Sequence, residues 1–141
     1  MDHVVYLDAK AKEYEKLIKG MKTMIIRGAA GRKLPFGRVN VKDKLYFINN
    51  NGEGKIKAKG NVKYVYNSEK MTKEESVKLV EENSDKLYLS DKQVKRWAGK
   101  RYLVLIEVDN IKVLEPFEID KSDYGNMDDW LPVGNIENVR K

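Results

Sequence analysis

Apolar and polar residues change their spacing several times along these 141 residues, and each change predicts an element. His3 to Leu7 is a short β-prone run. Asp8 can cap a helix through Lys19, because Ala11, Tyr14, Leu17 and Ile18 recur at helical spacing and Gly20 supplies the stop. Thr23 to Ile26 is rich in β-branched and apolar residues and predicts a strand bracketed by Lys22 and Arg27. The run from Arg27 to Lys33 is small, flexible and basic. With Leu34-Pro35-Phe36-Gly37 it predicts a surface loop.

A hairpin comes next. Leu45 to Ile48 and Lys55 to Lys59 flank the Asn- and Gly-rich segment 49–54, whose residues accept the positive φ of tight turns. Lys55, Lys57 and Lys59 alternate with Ile56 and Ala58, which predicts three ammonium groups on one sheet face. Asn61 to Tyr66 predicts another strand. Thr72 with Glu75 makes a capping box for a helix to about Glu82, with Val77 and Val80 turned inward. Ser90 with Gln93 makes a second box, for a short helix carrying Val94 and Trp97 and closed by Gly99. Arg101 to Val108 reads as a strand buried on both faces, and Ile111 to Ile119 as a separate strand after the turn-prone pair Asp109-Asn110. Trp130, Leu131, Val133, Ile136 and Val139 give the tail apolar anchors, with Trp130 expected as a lid or packing anchor.

Composition narrows the chemistry. The chain has no cysteine and one histidine, so thiol nucleophiles, disulfide frameworks and Cys-based zinc sites are excluded. His3, beside Val4 and Val5, is expected to be structural. The longest apolar stretch, Tyr102 to Ile106, is too short to cross a bilayer, and the N-terminus lacks a signal-peptide layout, so a cytoplasmic protein is expected. Asp128 and Asp129 are adjacent carboxylates, and neighbours on a loop rarely converge on one atom. No metal site is therefore expected.

Charge is segregated more than its net value of +6 conveys. From Lys10 to Lys63 there are 15 Lys/Arg against 4 Asp/Glu, a balance of +11, whereas Glu107 to Asp129 holds 2 against 8, a balance of -6. A basic half of this kind attracts a polyanion. The acidic segment either docks on a basic partner or folds back over the chain's own basic cleft.

Gly20-Met21-Lys22-Thr23-Met24-Ile25-Ile26-Arg27 is similar to the Gly-x-Lys-x-x-Glu-x-Arg signature of ASCH domains, with Ile25 at the Glu position. Val41-Lys42-Asp43-Lys44-Leu45-Tyr46-Phe47 resembles the family's Val-x-x-Gly-Asp-x-Leu strand entry, with Lys42 in place of the usual glycine. The resemblance covers roughly residues 4 to 108. It implies an α+β fold of the PUA-like superfamily, a small β-barrel of about six strands with two or three short helices on its rim. Residues 1–141 are read as one such domain, with an acidic C-terminal extension from about residue 109. The resemblance further implies RNA or a nucleotide bound beside the Gly-x-Lys turn, and enzymatic members exist.

The residues expected to contact nucleic acid are Lys22, Arg27, Arg32, Lys33, Arg38, Lys55, Lys57, Lys59, Trp97 and Arg101. Lys22 and Arg27 lie about 16 Å apart on an extended strand, enough to span several phosphates. Lys22 has a second reading, as a lysine pairing with the last carbonyls of the preceding helix. Trp97, among Lys95, Arg96, Lys100 and Arg101, is either a base-stacking site with charged flanks or a core residue. The Gly28 to Lys33 loop lacks the Gly-Lys-Ser/Thr ending of an NTPase, although its amides can hold a phosphate. The alternative to a binding module is an amidohydrolase or ribonuclease acting on a modified nucleoside or RNA, with Lys22 as base and Thr23 close by. A Thr two positions beyond Thr23 would complete that pattern, and Ile25 stands there. No cofactor, metal or membrane partner is expected, and the chain is expected to be a monomer.

Overall fold

In the computed structural model, which describes residues 1–124 and 129–141, six strands form one sheet. They are β1 (Asp2–Leu7), β2 (Met24–Ala29), β3 (Lys44–Asn49), β4 (Lys55–Asn67), β5 (Tyr102–Glu118) and β6 (Trp130–Gly134). Their order across the sheet is β2-β5-β4-β3-β1-β6. All neighbouring pairs are antiparallel except β1 and β3, which run parallel. The sheet curls into a half-barrel, an α+β arrangement whose edge strands, β2 and β6, are not paired with each other.

Alternation along each strand separates two faces. Ile25, Val104, Ile106 and Val108 point inside the curl with Val5, Phe47 and Trp130. Met24, Ile26, Leu103 and Leu105 point outward beneath the helices, against Val80, Leu87 and Trp97. Residues 103–106 are thus covered on both faces. A third cluster, including Val4, Tyr46, Ile48 and Leu131, packs under the 3-10 turn Ile136–Asn138.

Four α-helices are present among the described residues: α1 (Glu13–Ile18), α2 (Lys73–Glu82), α3 (Ser84–Leu87) and α4 (Asp91–Trp97), one more than the upper expectation. Both predicted capping boxes are formed, Thr72 with Glu75 and Ser90 with Gln93. The first helix is half the expected length. Lys12 takes a left-handed conformation (φ 57°), so α1 starts at Glu13, and Asp8 instead accepts a hydrogen bond from the Ala11 N–H at 3.0 Å.

Three further expectations are corrected. Strand β2 runs on to Ala29, so Arg27 and Gly28 are strand residues and the basic loop starts after them. Asn61 to Tyr66 is the second half of β4, because β4 pairs with β5 along its length through several register shifts. Ile111 to Glu118 is likewise continuous with β5, and Asn110 (φ 51°) is absorbed within the strand instead of turning it back. The acidic stretch after residue 109 therefore begins as a sheet strand paired with the lysine strand, with Glu118 opposite Lys55.

Candidate nucleic-acid interface

Chain reversal after α1 buries Lys22. Gly20 adopts φ 74°, the N–H groups of Met21 and Lys22 return to the Lys16 carbonyl, and the Lys22 side chain is carried under the helical layer with 1% of its surface exposed. Its ammonium donates to the Leu87 carbonyl at 2.5 Å and lies 3.4 Å from Glu13 Oε2. Burial lowers its pKa from 10.5 to about 8; Glu13 opposes that fall, and the positive charge of Arg27 adds to it. The partner carbonyl comes from α3, not from the preceding helix, and Lys22 has no free surface for a phosphate.

Arg27 shares its face of β2 with Ile25, so its side chain enters the end of the curl, where it is 6% exposed. There it links edge strand β2 to β1 by hydrogen bonding and to edge strand β6 through the Trp130 ring. Nη2 donates to the Tyr6 carbonyl at 2.6 Å, Nη1 to the Ile26 carbonyl at 2.8 Å, and the guanidinium stands 5.7 Å from the Trp130 ring centre. Nε lies 3.1 Å from Asp129 Oδ2 without the alignment of a hydrogen bond.

A cleft opens over this bridge. Arg27, Arg96, Trp97 and Asp129 form its floor and middle. One wing, about 230 Å³, is completed by Gly28, Lys33, Leu34 and Lys100. The other, about 80 Å³, is completed by Tyr6, Asp8, Glu13, Asn50 and Gln93. At Gly28 the wall is bare backbone: a Cβ there would stand 2.6 Å from Leu103 Cδ2 and 3.0 Å from the Tyr102 carbonyl oxygen. Trp97 is buried against the outer core and presents to the cleft beneath Arg96, whose guanidinium lies 4.4 Å from the ring centre. Asp129 Oδ2 also lies 3.9 Å from Arg96 Nη2.

No family model and no curated protein matches the chain. Among solved structures, the ASCH protein of Zymomonas mobilis superposes with a TM-score of 0.63 at 12% identity, over 83% of this chain and 73% of that one. A point-mutant form of the same protein gives the same TM-score and identity, with 75% of its chain covered. The fold is that of an ASCH domain. Within this ASCH fold the Gly-x-Lys turn and the Arg at the end of the signature both contribute to buried polar contacts near the cleft. Ile25 lies in the barrel interior, fully buried, so its apolar side chain is a core residue.

Of the residues expected from sequence, Arg27, Lys33 and Trp97 line the cleft, and Lys22 stands behind it through Glu13. The others lie elsewhere. Arg32 is on the exposed loop, its guanidinium 5.6 and 5.7 Å from the Phe36 and Tyr102 ring centres. Arg38 and Arg101 are exposed outside the lining. The lysine hairpin does not form one open basic face: Lys55 is exposed, Lys57 is half-buried beside Glu53 and over the Tyr14 ring, and Lys59 lines a different groove with Tyr46 and Phe117. Thr23 is half-buried and does not line the cleft. Sequence reasoning undervalued Arg96, Lys100 and Asp129. The basic flanks of Trp97 were a signal for the first two, whereas Asp129 gains its place only from the meeting of β1, β2 and β6. Asp128 lies outside the described residues. Trp130 is a packing anchor: it is fully buried and donates from Nε1 to His3 Nδ1 at 3.1 Å. His3 is structural, with Nε2 2.8 Å from Asp43 Oδ2. No set of His, Asp or Glu among the described residues is grouped to hold a metal, and no described helix is long and apolar enough to cross a membrane.

Proposed function

We propose that this ASCH-fold protein binds single-stranded RNA or a nucleotide, with a phosphate and its sugar seated in the larger wing of the cleft. The observation that carries the reading is the convergence of Arg27, Lys33, Arg96 and Lys100 on one concave site beside Trp97. Charge-assisted contacts to phosphate position such a ligand, and the exposed Arg96 guanidinium offers a plane for an unpaired base. The basic balance of residues 10–63 supplies long-range attraction. The test is fluorescence anisotropy of a labelled eight-nucleotide RNA over a salt series, with wild type and Arg96→Ala/Lys100→Ala. Affinity should fall with salt at a log-log slope of about -0.7 per phosphate contacted, and the double variant should bind at least tenfold more weakly with a flatter slope. Binding indifferent to salt and to these two residues would sink the reading.

A second reading, hydrolysis of an acylated nucleoside or of RNA, is favoured by the Lys22–Glu13 pair. A lysine with a pKa of about 8 has a neutral fraction able to accept a proton near pH 7, and Glu13 reaches the smaller wing. Ile25 supplies no hydroxyl, so water is the nucleophile in this reading. A Lys22→Met/Glu13→Gln protein that folds and still hydrolyses acylated cytidine at the wild-type rate would rule it out.

A further inference from the structure

The cleft holds an anion of its own. Asp129 Oδ2 stands 3.1 Å from Arg27 Nε and 3.9 Å from Arg96 Nη2, midway between the two wings. The placement is a loose one. Arg27 is buried, yet its Nε has no aligned hydrogen bond, so one donor at the floor of the cleft remains unspent. A carboxylate at 3.1 Å without alignment leaves that donor short of the full strength of a charge-assisted bond. A tetrahedral phosphate has oxygens in more directions and more negative charge, and so can satisfy Nε and reach Arg96 together.

The Asp129 main chain is fixed, because its carbonyl accepts a hydrogen bond from the Tyr6 N–H at 3.0 Å, while its side chain is 41% exposed. The carboxylate can therefore leave by side-chain rotation alone, into water, with no strand unpaired. Its departure uncovers two arginines, one buried, whose positive charge is then uncompensated until another anion arrives.

We propose that Arg27 Nε and Arg96 form a subsite for a phosphate group, and that Asp129 is a built-in competitor which the phosphate must displace. The proposal rests on the RNA or nucleotide reading for its biological ligand but not for its chemistry. A competitor of this kind selects among ligands: a neutral nucleoside cannot displace a carboxylate from two arginines, whereas a phosphorylated one can. It also lowers the apparent affinity by the fraction of molecules in which the carboxylate is in place.

The test uses inorganic phosphate as the probe and the 1H–15N signal of the Arg27 side-chain Nε as the reporter. In Asp129→Asn the signal should saturate at about tenfold lower phosphate than in wild type, and in Arg96→Gln at severalfold higher phosphate. Equal midpoints in Asp129→Asn and wild type, or no response in any protein, would overturn the subsite. Should Asp129→Asn fail to fold, Arg96→Gln decides alone, since this exposed residue is not needed for the fold and a midpoint identical to wild type overturns the proposal. The eight-nucleotide RNA is titrated in parallel. Phosphate response without RNA binding overturns the RNA reading and leaves the subsite, whereas RNA binding without phosphate response does the reverse.

Discussion

Glu13 and Lys22 face each other inside the protein, Oε2 to Nζ at 3.4 Å, the carboxylate from the first turn of α1 and the ammonium from the turn that ends it. The ten residues from Glu13 to Lys22 are closed by one ion pair. The pair is buried, and removal of one partner strands the other charge.

That geometry sets a pH dependence. In the folded protein Lys22 loses its proton at about 8, chiefly through burial, but at 10.5 when unfolded. Between these values the unfolded chain binds more protons, so stability rises with pH across the window. Urea midpoints at pH 7.5 and 9.5 should show wild type gaining stability on the order of 2 kcal/mol relative to Lys22→Met. Glu13→Ala at pH 7 should cost about 3 kcal/mol.

Acid acts through a different pair. Burial lowers the His3 pKa below 6.5 against the pull of Asp43. For Asp43 burial pushes upward, but hydrogen bonds from the Asn40 N–H and His3 outweigh it and hold the carboxyl below 3.8. Both depressed groups favour the folded state at neutral pH. Stability should begin to fall as pH drops through 6.5, where the unfolded histidine takes a proton, and fall further below 3.8. In Asp43→Asn the lower of the two phases should shrink in denaturant titrations taken at steps of pH, the remainder coming from Glu75 and Asp120, whose carboxyls hydrogen bonds also hold low.

Lys42 carries local strain. It occupies φ 78°, the left-handed region that a side chain disfavours. Lys42→Gly should stabilise the protein by about 0.5–1 kcal/mol after the greater freedom of glycine in the unfolded chain is subtracted. Calorimetry should show the gain as a Tm rise of about 2–4 °C.

Arg27 joins β2 to β1, two strands that share no backbone pairing. Arg27→Met should cost about 2–3 kcal/mol through its hydrogen bond to the Tyr6 carbonyl and the buried acceptors left behind. Arg27→Lys should recover only part, because an ammonium cannot reproduce the forked donation to Tyr6 and Ile26. Chemical denaturation of both variants checks the order.

Elements whose signals are self-contained were legible in the sequence. The capping boxes of α2 and α4 each lie within four residues, and no distant contact is needed to form them. The start of α1 was misplaced because Asp8 looks like a cap, whereas its own N–H is taken by Glu13 Oε1 at 2.7 Å. Asn61 and Asp109-Asn110 read as breaks, yet β4 and β5 pair with each other and pull both segments through as bulged strand. Charge identified the basic half but not which charges are free. Lys22 and Arg27 are buried by Leu87, Tyr6 and Trp130, residues 65, 21 and 103 positions away, a closure that no local pattern encodes. Asp129 was set aside as one of two adjacent carboxylates, and its partners turn out to be arginines from β2 and α4.

The parallel pairing of β1 with β3 leaves β1 one more neighbour to find, and that neighbour is β6, which follows it by more than 120 residues in the chain. During synthesis β1, with Val4 and Val5 already aligned, stays an open apolar edge until residues 130–134 have left the ribosome. Such an edge is a template for strands from other chains. A chain cut before Trp130 would therefore show itself as aggregation, because β1 would keep its unpaired edge.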